Sequence, residues 1–356
     1  MGDGKVVLVT GVASYWGSRV AERLVAEAGY HIIGLDVAQP PVEIRGVDFI
    51  QADIRNPLLV DLLKSEGIDT VCHLAFVETS RPNETAFDAN VVGTGKFLGA
   101  CAGAGIRKVV LKSSTAIYGA RPSNSAFLTE EQSLRGSQRC GYVRDLIGIE
   151  AFCSGFRRQV PQMVLTILRF PSIVGPTADT PMTRFLRDPY APGLLGFDPM
   201  MQLIHEDDVV GGLIHAMDND VPGTFNVAAK EVLPLNKIRG LAGKPPVSVF
   251  HPFAYWGAWL MAGTRLPLDR IVPIELDYIR YPWVADLTRM CGELGFEPLH
   301  TAEEALCEFA ARRRIPGSEI MARGEERLRG IIEQRRRTRE QQAAAASDVE
   351  EGGANG

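Results

Sequence analysis

Clustered cysteines are missing from this chain. The six cysteines stand at 72, 101, 140, 153, 291 and 307, with no CxxC pair. That spacing argues against a zinc site, so no metal is expected. Scattered thiols in a chain of 356 residues predict reduced, mostly buried cysteines and a cytoplasmic protein. A surplus of either charge is also missing. Net charge is −5, from 38 Lys+Arg against 43 Asp+Glu, so nothing overall favours nucleic acid or an anionic membrane. A long unbroken apolar run is missing as well. The most apolar stretch, 247–267, is interrupted by His251, Pro252 and Arg265, so no transmembrane segment is expected. It reads as a buried or cleft-lining helix, with an apolar substrate pocket or an interfacial membrane contact as the alternative. The first residues lack the basic, apolar and cleavage regions of a signal peptide. No internal repeats occur. What is present is ordinary: 46% hydrophobic and 23% charged residues, enough for one large α/β domain or two smaller ones.

The order of local patterns is more informative. Lys5–Thr10 (KVVLVT) is a short valine-rich run that turns at Gly11, as a strand buried on both faces would. Residues 16–28 carry Val20, Leu24, Val25 and Ala28 at helical spacing, and Gly29 stops them. A strand follows from His31 to Leu35 and ends at Asp36. The alternation continues with strand 47–51, helix 58–65, strand 70–74, helix 90–104, strand 108–112, helix 139–159 and strand 164–169. Alternating strands and helices predict an α/β protein with a Rossmann-type, doubly wound parallel sheet. The rhythm breaks after Gly175. Residues 1–175 plus about 205–228 are assigned to the sheet domain. About 176–204 and 229–322, rich in proline, are assigned to a smaller C-terminal substrate lobe. Residues 323–356 read as a charged helix followed by a disordered tail. The Arg335-Arg336-Arg337 run is flanked by Glu333 and Glu340, which makes it a solvated helix face.

Between the first strand and the first helix lies Thr10-Gly11-Val12-Ala13-Ser14-Tyr15-Trp16-Gly17. A glycine at the turn lets the backbone bend. A small residue in the middle lets a pyrophosphate approach the helix N-terminus, and the last glycine lets helix and strand pack closely. Asp36, at the end of the second strand, can accept hydrogen bonds from a ribose diol and repels a 2′-phosphate. No arginine follows it closely, so NAD is favoured over NADP.

With these residues in place, the chain resembles the extended short-chain dehydrogenases/reductases of the NAD-dependent epimerase/dehydratase type, which include the UDP-glucose 4-epimerases. The family's TGxxGxxG is matched at Thr10, Gly11 and Gly17, with Ser14 in place of the middle glycine. Asp53-Ile54 resembles its adenine-side pair. His73-Leu74-Ala75-Phe76 resembles HLAA, with Phe76 a departure. Asn90-Val91-Val92-Gly93-Thr94 resembles NxxGT, and the run from Ser113-Ser114 to Tyr118-Gly119 resembles SSxxxYG. Leu168-Arg169-Phe170-Pro171-Ser172-Ile173-Val174-Gly175-Pro176 resembles LRxxNxxGP. Leu203–Val209 and Phe225-Asn226-Val227 resemble later blocks, so the matches run in order from about Lys5 to Phe309. The resemblance implies cofactor contacts from Gly11, Ser14, Tyr15, Trp16, Gly17, Asp36, Asp53, Ile54, Leu74, Ala75, Asn90, Ser113, Tyr142 and Pro171.

It also implies catalysis by Ser114, which would hydrogen-bond the substrate oxygen, and Tyr142, which would transfer the proton. In that family a lysine follows the tyrosine by four residues, on the same helix face. It holds the nicotinamide ribose and lowers the tyrosine pKa. Here Leu146 stands in its place. Free tyrosine titrates near pH ~10, so without a cation it is a poor base. Arg144 is two residues away and points around the helix. Glu150 supports the register, because the family's YxxxKxxxE also ends in a carboxylate. Pro171 and Ser172 replace an aromatic or apolar residue and an asparagine that seats a sugar diphosphate. The apolar residues Trp256, Trp259 and Met261 tilt toward a larger or more apolar substrate, although core packing explains them equally well.

His73 reads as structural or groove-lining in preference to a general base, and His205 with Asp207 and Asp208 as a strand-end hydrogen-bond network in preference to a metal site. Cys140 and Cys153 read as ordinary helix thiols. Two functions compete. One is an NAD-dependent oxidoreductase or epimerase acting on a hydroxyl or keto group of a nucleotide-sugar-like or more apolar small molecule, with a homodimer as the possible assembly. The other is a catalytically impaired, NAD-dependent binding or regulatory protein. Retained Ser114 and Tyr142 favour the first, and Leu146 favours the second.

Overall fold

Hydrophobic runs too short for helices become the strands of one parallel sheet. In a computed structural model, which describes residues 5–27, 29–250, 252 and 275–314, β1 (Lys5–Thr10) is central. It is flanked on one side by β2 (Tyr30–Asp36) and β3 (Val47–Gln51). On the other side lie β4 (Thr70–His73), β5 (Lys108–Ser114), β6 (Val164–Phe170) and β10 (Gly223–Asn226). The order is β10-β6-β5-β4-β1-β2-β3, with every pairing parallel. This is the doubly wound Rossmann-type sheet read from the sequence. The register sets Thr10 beside both Leu35 and His73, and Ser114 beside Phe170. The C-terminal strand ends, where ligands bind in such sheets, are thereby brought to one edge.

Two apolar layers cover the sheet. One face carries α1 (Tyr15–Ala26) and α7 (Glu206–Asp218), whose Val20, Leu24, Val209 and Leu213 pack on Val7, Val9 and Val110. The other carries α2 (Leu59–Ser65), α4 (Gly93–Ala104) and α5 (Gly141–Gln159), with Phe97, Leu146, Ile149 and Cys153 against Leu8, Val109 and Leu111. Burying one such side chain contributes roughly 1.5–3 kcal/mol, so alternation along each strand holds both layers at once.

Beyond β6 the chain builds two small sheets. β7 (Ser172–Val174), β9 (Met200–His205) and β11 (Val232–Pro234) form one, in the order β11-β9-β7. The second pairs β8 (Gly193–Leu194) with β12 (Ser248–Val249). Within residues 205–228, α7 packs on the main sheet and β10 pairs with β6 at its edge. The chain divides into one unit of residues 1–308 and another of 309–356. Trp256, Trp259 and Met261, most of the apolar stretch 247–267, and the charged tail from 323 lie outside the described residues. No described helix is long and apolar enough to cross a membrane.

One element departs from its expected form. The helix predicted over 90–104 begins earlier, as α3 (Glu84–Phe87), and reaches α4 through a π-helical turn at Asp88–Val92. The wide turn carries Asn90, which is 1% exposed. Its Oδ1 accepts from the Val77 amide at 2.8 Å. Its Nδ2 donates to Val77 O and to Asp145 Oδ2, both at 2.9 Å. These long-range bonds stand beside an extra residue in the turn, the form a π-bulge takes.

Candidate functional site

The turn after β1 has the backbone its glycines require. Gly11 lies at φ +74, a conformation costly for other residues, and an added Cβ would meet the Leu74 and Ala75 backbone at 2.6 Å. A Cβ at Gly17 would lie 2.0 Å from the Gly11 carbonyl oxygen. Ser14 caps α1: its hydroxyl donates to Gly11 O at 2.6 Å and accepts from Gly17 N at 3.2 Å. No acidic residue occupies the first turn of α1. The positive end of a twelve-residue helix therefore faces the strand ends without a carboxylate of its own turn to neutralise it. Asp36 accepts from Ala13 N at 3.0 Å through one oxygen and from Ala38 N at 3.1 Å through the other. Both oxygens keep a lone pair for a ribose diol. This donor and acceptor set fits a dinucleotide.

Beside the turn lies a cavity of about 290 Å³. Ser14, Tyr15, Trp16, Leu74, Ala75 and Tyr142 line it, all expected at the cofactor. So do Phe76, Leu146, Glu78 and Lys112. The Ser114 hydroxyl lies close enough to Tyr142 to act on its phenol, and it caps the short 3-10 turn of Thr115–Tyr118 by accepting from Ala116 N. The two proposed catalytic groups are thus together. Burial, with Glu78 nearby, pushes the Tyr142 phenol far above the usual tyrosine value, while the Ser114 hydroxyl opposes it. Phe76 meets the Tyr142 ring edge-on, with centroids 5.4 Å apart.

Leu146 is 2% exposed and belongs to the apolar layer beneath α5. Arg144 turns away from the cavity: it donates to Asp145 and to Glu84, and its guanidinium covers the Phe87 ring. This agrees with its place on the helix.

Other expected site residues are spent within the protein. Asn90 holds the loop after β4, as described. Ser113 donates to Glu150 Oε1 at 2.5 Å. Glu150 in turn pairs through both oxygens with Arg169, whose Nη1 donates to the Tyr118 hydroxyl at 2.6 Å and to Glu130 O at 3.1 Å. Tyr118 donates to Asn226, tying β10 into the same cluster. Asp53 is engaged bidentately by Arg55, which holds its carboxyl below the usual range. Ile54 and Pro171 are buried.

His73 bridges Thr10 at 2.7 Å and Thr94 at 3.0 Å, and burial pulls its pKa down to about 4. It is a neutral linker between strand and helix that also borders the cavity. His205, Asp207 and His300 place their ligand atoms within 4.8 Å of one another. Those atoms are already engaged. His205 Nδ1 accepts from Asp207 N and its Nε2 faces Glu308 at 3.2 Å, while His300 Nδ1 faces Asp208 at 3.2 Å.

Sequence reasoning missed Glu206 and Lys112. Glu206 is 1% exposed and accepts from the Thr177 and Ala178 amides and from the Tyr15 hydroxyl, which locks the loop after β7 to the α1 turn. Its sign was an acid directly after a buried strand. Lys112 announced itself only as a charge inside an apolar strand.

Comparison with known proteins agrees with this geometry. The sequence pattern of the NAD dependent epimerase/dehydratase family matches residues 7–228. An uncharacterized protein of Mycobacterium tuberculosis is 32% identical over 322 residues, covering 87% of this chain and 85% of its own length. UDP-glucose 4-epimerase 2 of Oryza sativa is 29% identical over 192 residues, which are 49% of this chain and 46% of its own. The crystal structure of a Thermotoga maritima UDP-glucose 4-epimerase with UDP-glucose superposes with a TM-score of 0.67 at 22% identity, over 87% of this chain and 98% of that one. A Bordetella bronchiseptica enzyme in complex with NAD and UDP gives 0.68 at 18% identity, over 89% and 96%. At those identities the structural likeness speaks for the fold. The family match spans well over half of the chain, and with the glycine turn, the strand-end carboxylate and the paired Ser114 and Tyr142 it leads to one conclusion: the chain belongs to the NAD-dependent epimerase/dehydratase family, whose cofactor is NAD.

Proposed function

We propose that the protein is an oxidoreductase or epimerase acting on a hydroxyl or keto group of a nucleotide-sugar-like or more apolar small molecule. The observation that carries this reading is Tyr142, with Ser114 beside it, on the wall of one cavity with the N-terminal turn of α1, which carries no acid of its own. NAD supplies the hydride-accepting group when bound. Gly11, Ser14 and the amides of the first turn of α1 hold its phosphates, and Asp36 selects the unphosphorylated ribose. Ser114 orients the substrate oxygen, and Tyr142 exchanges a proton with it.

A second reading has its own support. Leu146 places no charge beside Tyr142, and burial strengthens the phenol's hold on its proton. A protein that binds NAD and reports on it, without turnover, is consistent with that environment.

Titration with NADH followed by a substrate panel separates the two. The wild type should bind NADH with micromolar affinity or better, about −8 kcal/mol. Absence of binding at millimolar cofactor would remove both readings. Nucleotide sugars and apolar alcohols and ketones should then be screened for product. Tyr142→Phe should abolish any activity found while leaving NADH affinity nearly unchanged. Activity that survives this change would remove Tyr142 as the proton-transfer group. Tight NADH binding with no product from any substrate favours the second reading.

A further inference from the structure

The strand that ends in Ser114 carries two lysines, and they live in different surroundings. Lys108, 0% exposed at the start of β5, is satisfied by the protein: its Nζ donates to Asn219 O at 2.5 Å, Met217 O at 3.2 Å and Asp220 at 3.0 Å, closing the C-terminal end of α7. Lys112 lies four residues on, near the C-terminal end of the strand, and borders the same cavity as Tyr142 and Leu146. Its Nζ stands 5.2 Å from the centre of the Trp16 ring, in the first turn of α1. Among the described residues it makes no hydrogen bond and no ion pair. The charge that acts on it is Glu78, on the cavity wall, where Asp179 also lies. Burial pulls its ammonium below the usual lysine range, against the opposing pull of Glu78.

A half-buried ammonium with no protein hydrogen-bond partner keeps its three donors free for a ligand. Alternation sharpens the point. Val110, on the same strand face, packs in the apolar layer under α1 and α7. At position 112 that layer gives way to the cavity, and the side chain carries a charge. An anion delivered to the N-terminal turn of α1 would supply what Lys112 lacks.

We propose that Lys112 binds the cofactor, as the cation that the pyrophosphate and the adjoining nicotinamide ribose meet in this cavity. From β5 it does the holding that the family assigns to the helix lysine replaced here by Leu146. It does not take over the activation of Tyr142: the charge acting on that phenol is foremost Glu78, which favours the protonated form. The inference rests on the NAD-binding reading above.

Three ligands and three proteins test it by calorimetry or fluorescence. Lys112→Met keeps the length and removes the charge, and it should raise the Kd for NADH and for ADP-ribose ~10-fold or more. It should leave the Kd for AMP, which lacks the second phosphate and ribose, within about twofold. Lys112→Arg should keep affinity within about threefold of wild type. Unchanged NADH affinity in Lys112→Met overturns the proposal, as does an equal loss for AMP. A wild type that fails to bind NADH defeats the underlying reading instead, so the two failures are distinct. The wild type provides a check independent of folding. Reductive methylation followed by peptide mass analysis should show NAD protecting Lys112 several-fold, with exposed Lys96 as the unprotected control. Equal labelling of Lys112 with and without NAD also overturns it.

Discussion

Two neighbouring turns of α5 have met different fates. At the inner turn, Glu150 keeps a complete set of partners: both oxygens on Arg169 and a hydrogen bond from Ser113, with 5% of the residue exposed. One turn earlier, at the place where the family carries its lysine, Leu146 packs into the apolar layer. Both positions belong to the same stretch of motif. The difference teaches that the motif has separable parts. Glu150 joins α5 to β5 and β6, and through Arg169 and Tyr118 to β10. Removing it would strand buried donors on two strands at once, Ser113 on β5 and Arg169 on β6. At that position Leu146 joins Val143, Ile149 and Cys153 in the apolar layer, so the fold is held there by packing alone. The turn at Gly11 stands with Glu150 in this respect, because neighbouring backbone atoms leave no room for a Cβ.

The comparison breaks first at Glu150. Glu150→Gln keeps an acceptor but removes the charge opposite Arg169, and losing one partner of a buried ion pair costs about 3–5 kcal/mol. Urea unfolding should show that loss, with NADH affinity at low temperature changed less than about threefold. A loss under 1 kcal/mol would mean that Arg169 finds other partners and that this turn is no more structural than the other.

What was legible in the sequence divides along the same line. The strands, the glycine turn and Asp36 were readable because each depends on neighbours a few residues away: a buried run, a tight turn, an end-of-strand acid. The convergence of Ser113, Tyr118, Glu150, Arg169 and Asn226 was not. Their motifs appeared as separate blocks, and only the β5–β6–β10 register brings them into one cluster. The π-turn at Asp88–Val92 was hidden for the same reason, since Asn90 answers to Val77 and Asp145 and not to its own helix. Lys112 was read as part of an ordinary strand, because a pattern of apolar residues does not show where a core stops and a cavity begins. The loss at Leu146 was plain in the sequence. Its surroundings, an edge-on Phe76 and a phenol driven toward its protonated form, needed the structure.

The two ends of the cofactor site offer the next comparison. If the β1–α1 end is intact while the α5 end is altered, selectivity between cofactors resides with Asp36 alone. Asp36→Ala should weaken NADH binding ~10-fold, about 1.4 kcal/mol, because charge-assisted hydrogen bonds to the ribose diol disappear. Affinity for NADPH should stay level or rise, because repulsion of the 2′-phosphate disappears too. Parallel calorimetric titrations read both. A variant that discriminates between the cofactors as strongly as the wild type would show that another group makes the choice.

The smallest expected effect concerns Phe76, where the family's HLAA carries alanine. Phe76 and Leu146 are both departures, and both border the cavity that holds Tyr142. They form one apolar wall, so the two substitutions are parts of one change. Burial is the leading cause of the raised phenol pKa, and the Phe76 ring meets Tyr142 at 87° in an edge-on contact. Such a pair is worth roughly 0.5–1.5 kcal/mol beyond the area it buries. Phe76→Ala should therefore lower stability by about 1–2 kcal/mol, readable in urea unfolding, because a half-exposed ring leaves a gap that water can enter. Water at the phenol relieves part of its desolvation, so Tyr142 should titrate lower than in the wild type. The sign follows from burial disfavouring the charged tyrosinate. Ultraviolet titration of Phe76→Ala against Phe76→Ala/Tyr142→Phe isolates that one residue among the tyrosines, and the same subtraction in the wild-type background gives the reference. NADH affinity should change less than about threefold, since Phe76 offers no hydrogen bond to a phosphate or a ribose. A tenfold loss would instead make the ring part of the nicotinamide seat, and the wall around Tyr142 would then be a binding surface in place of the remnant of a catalytic one.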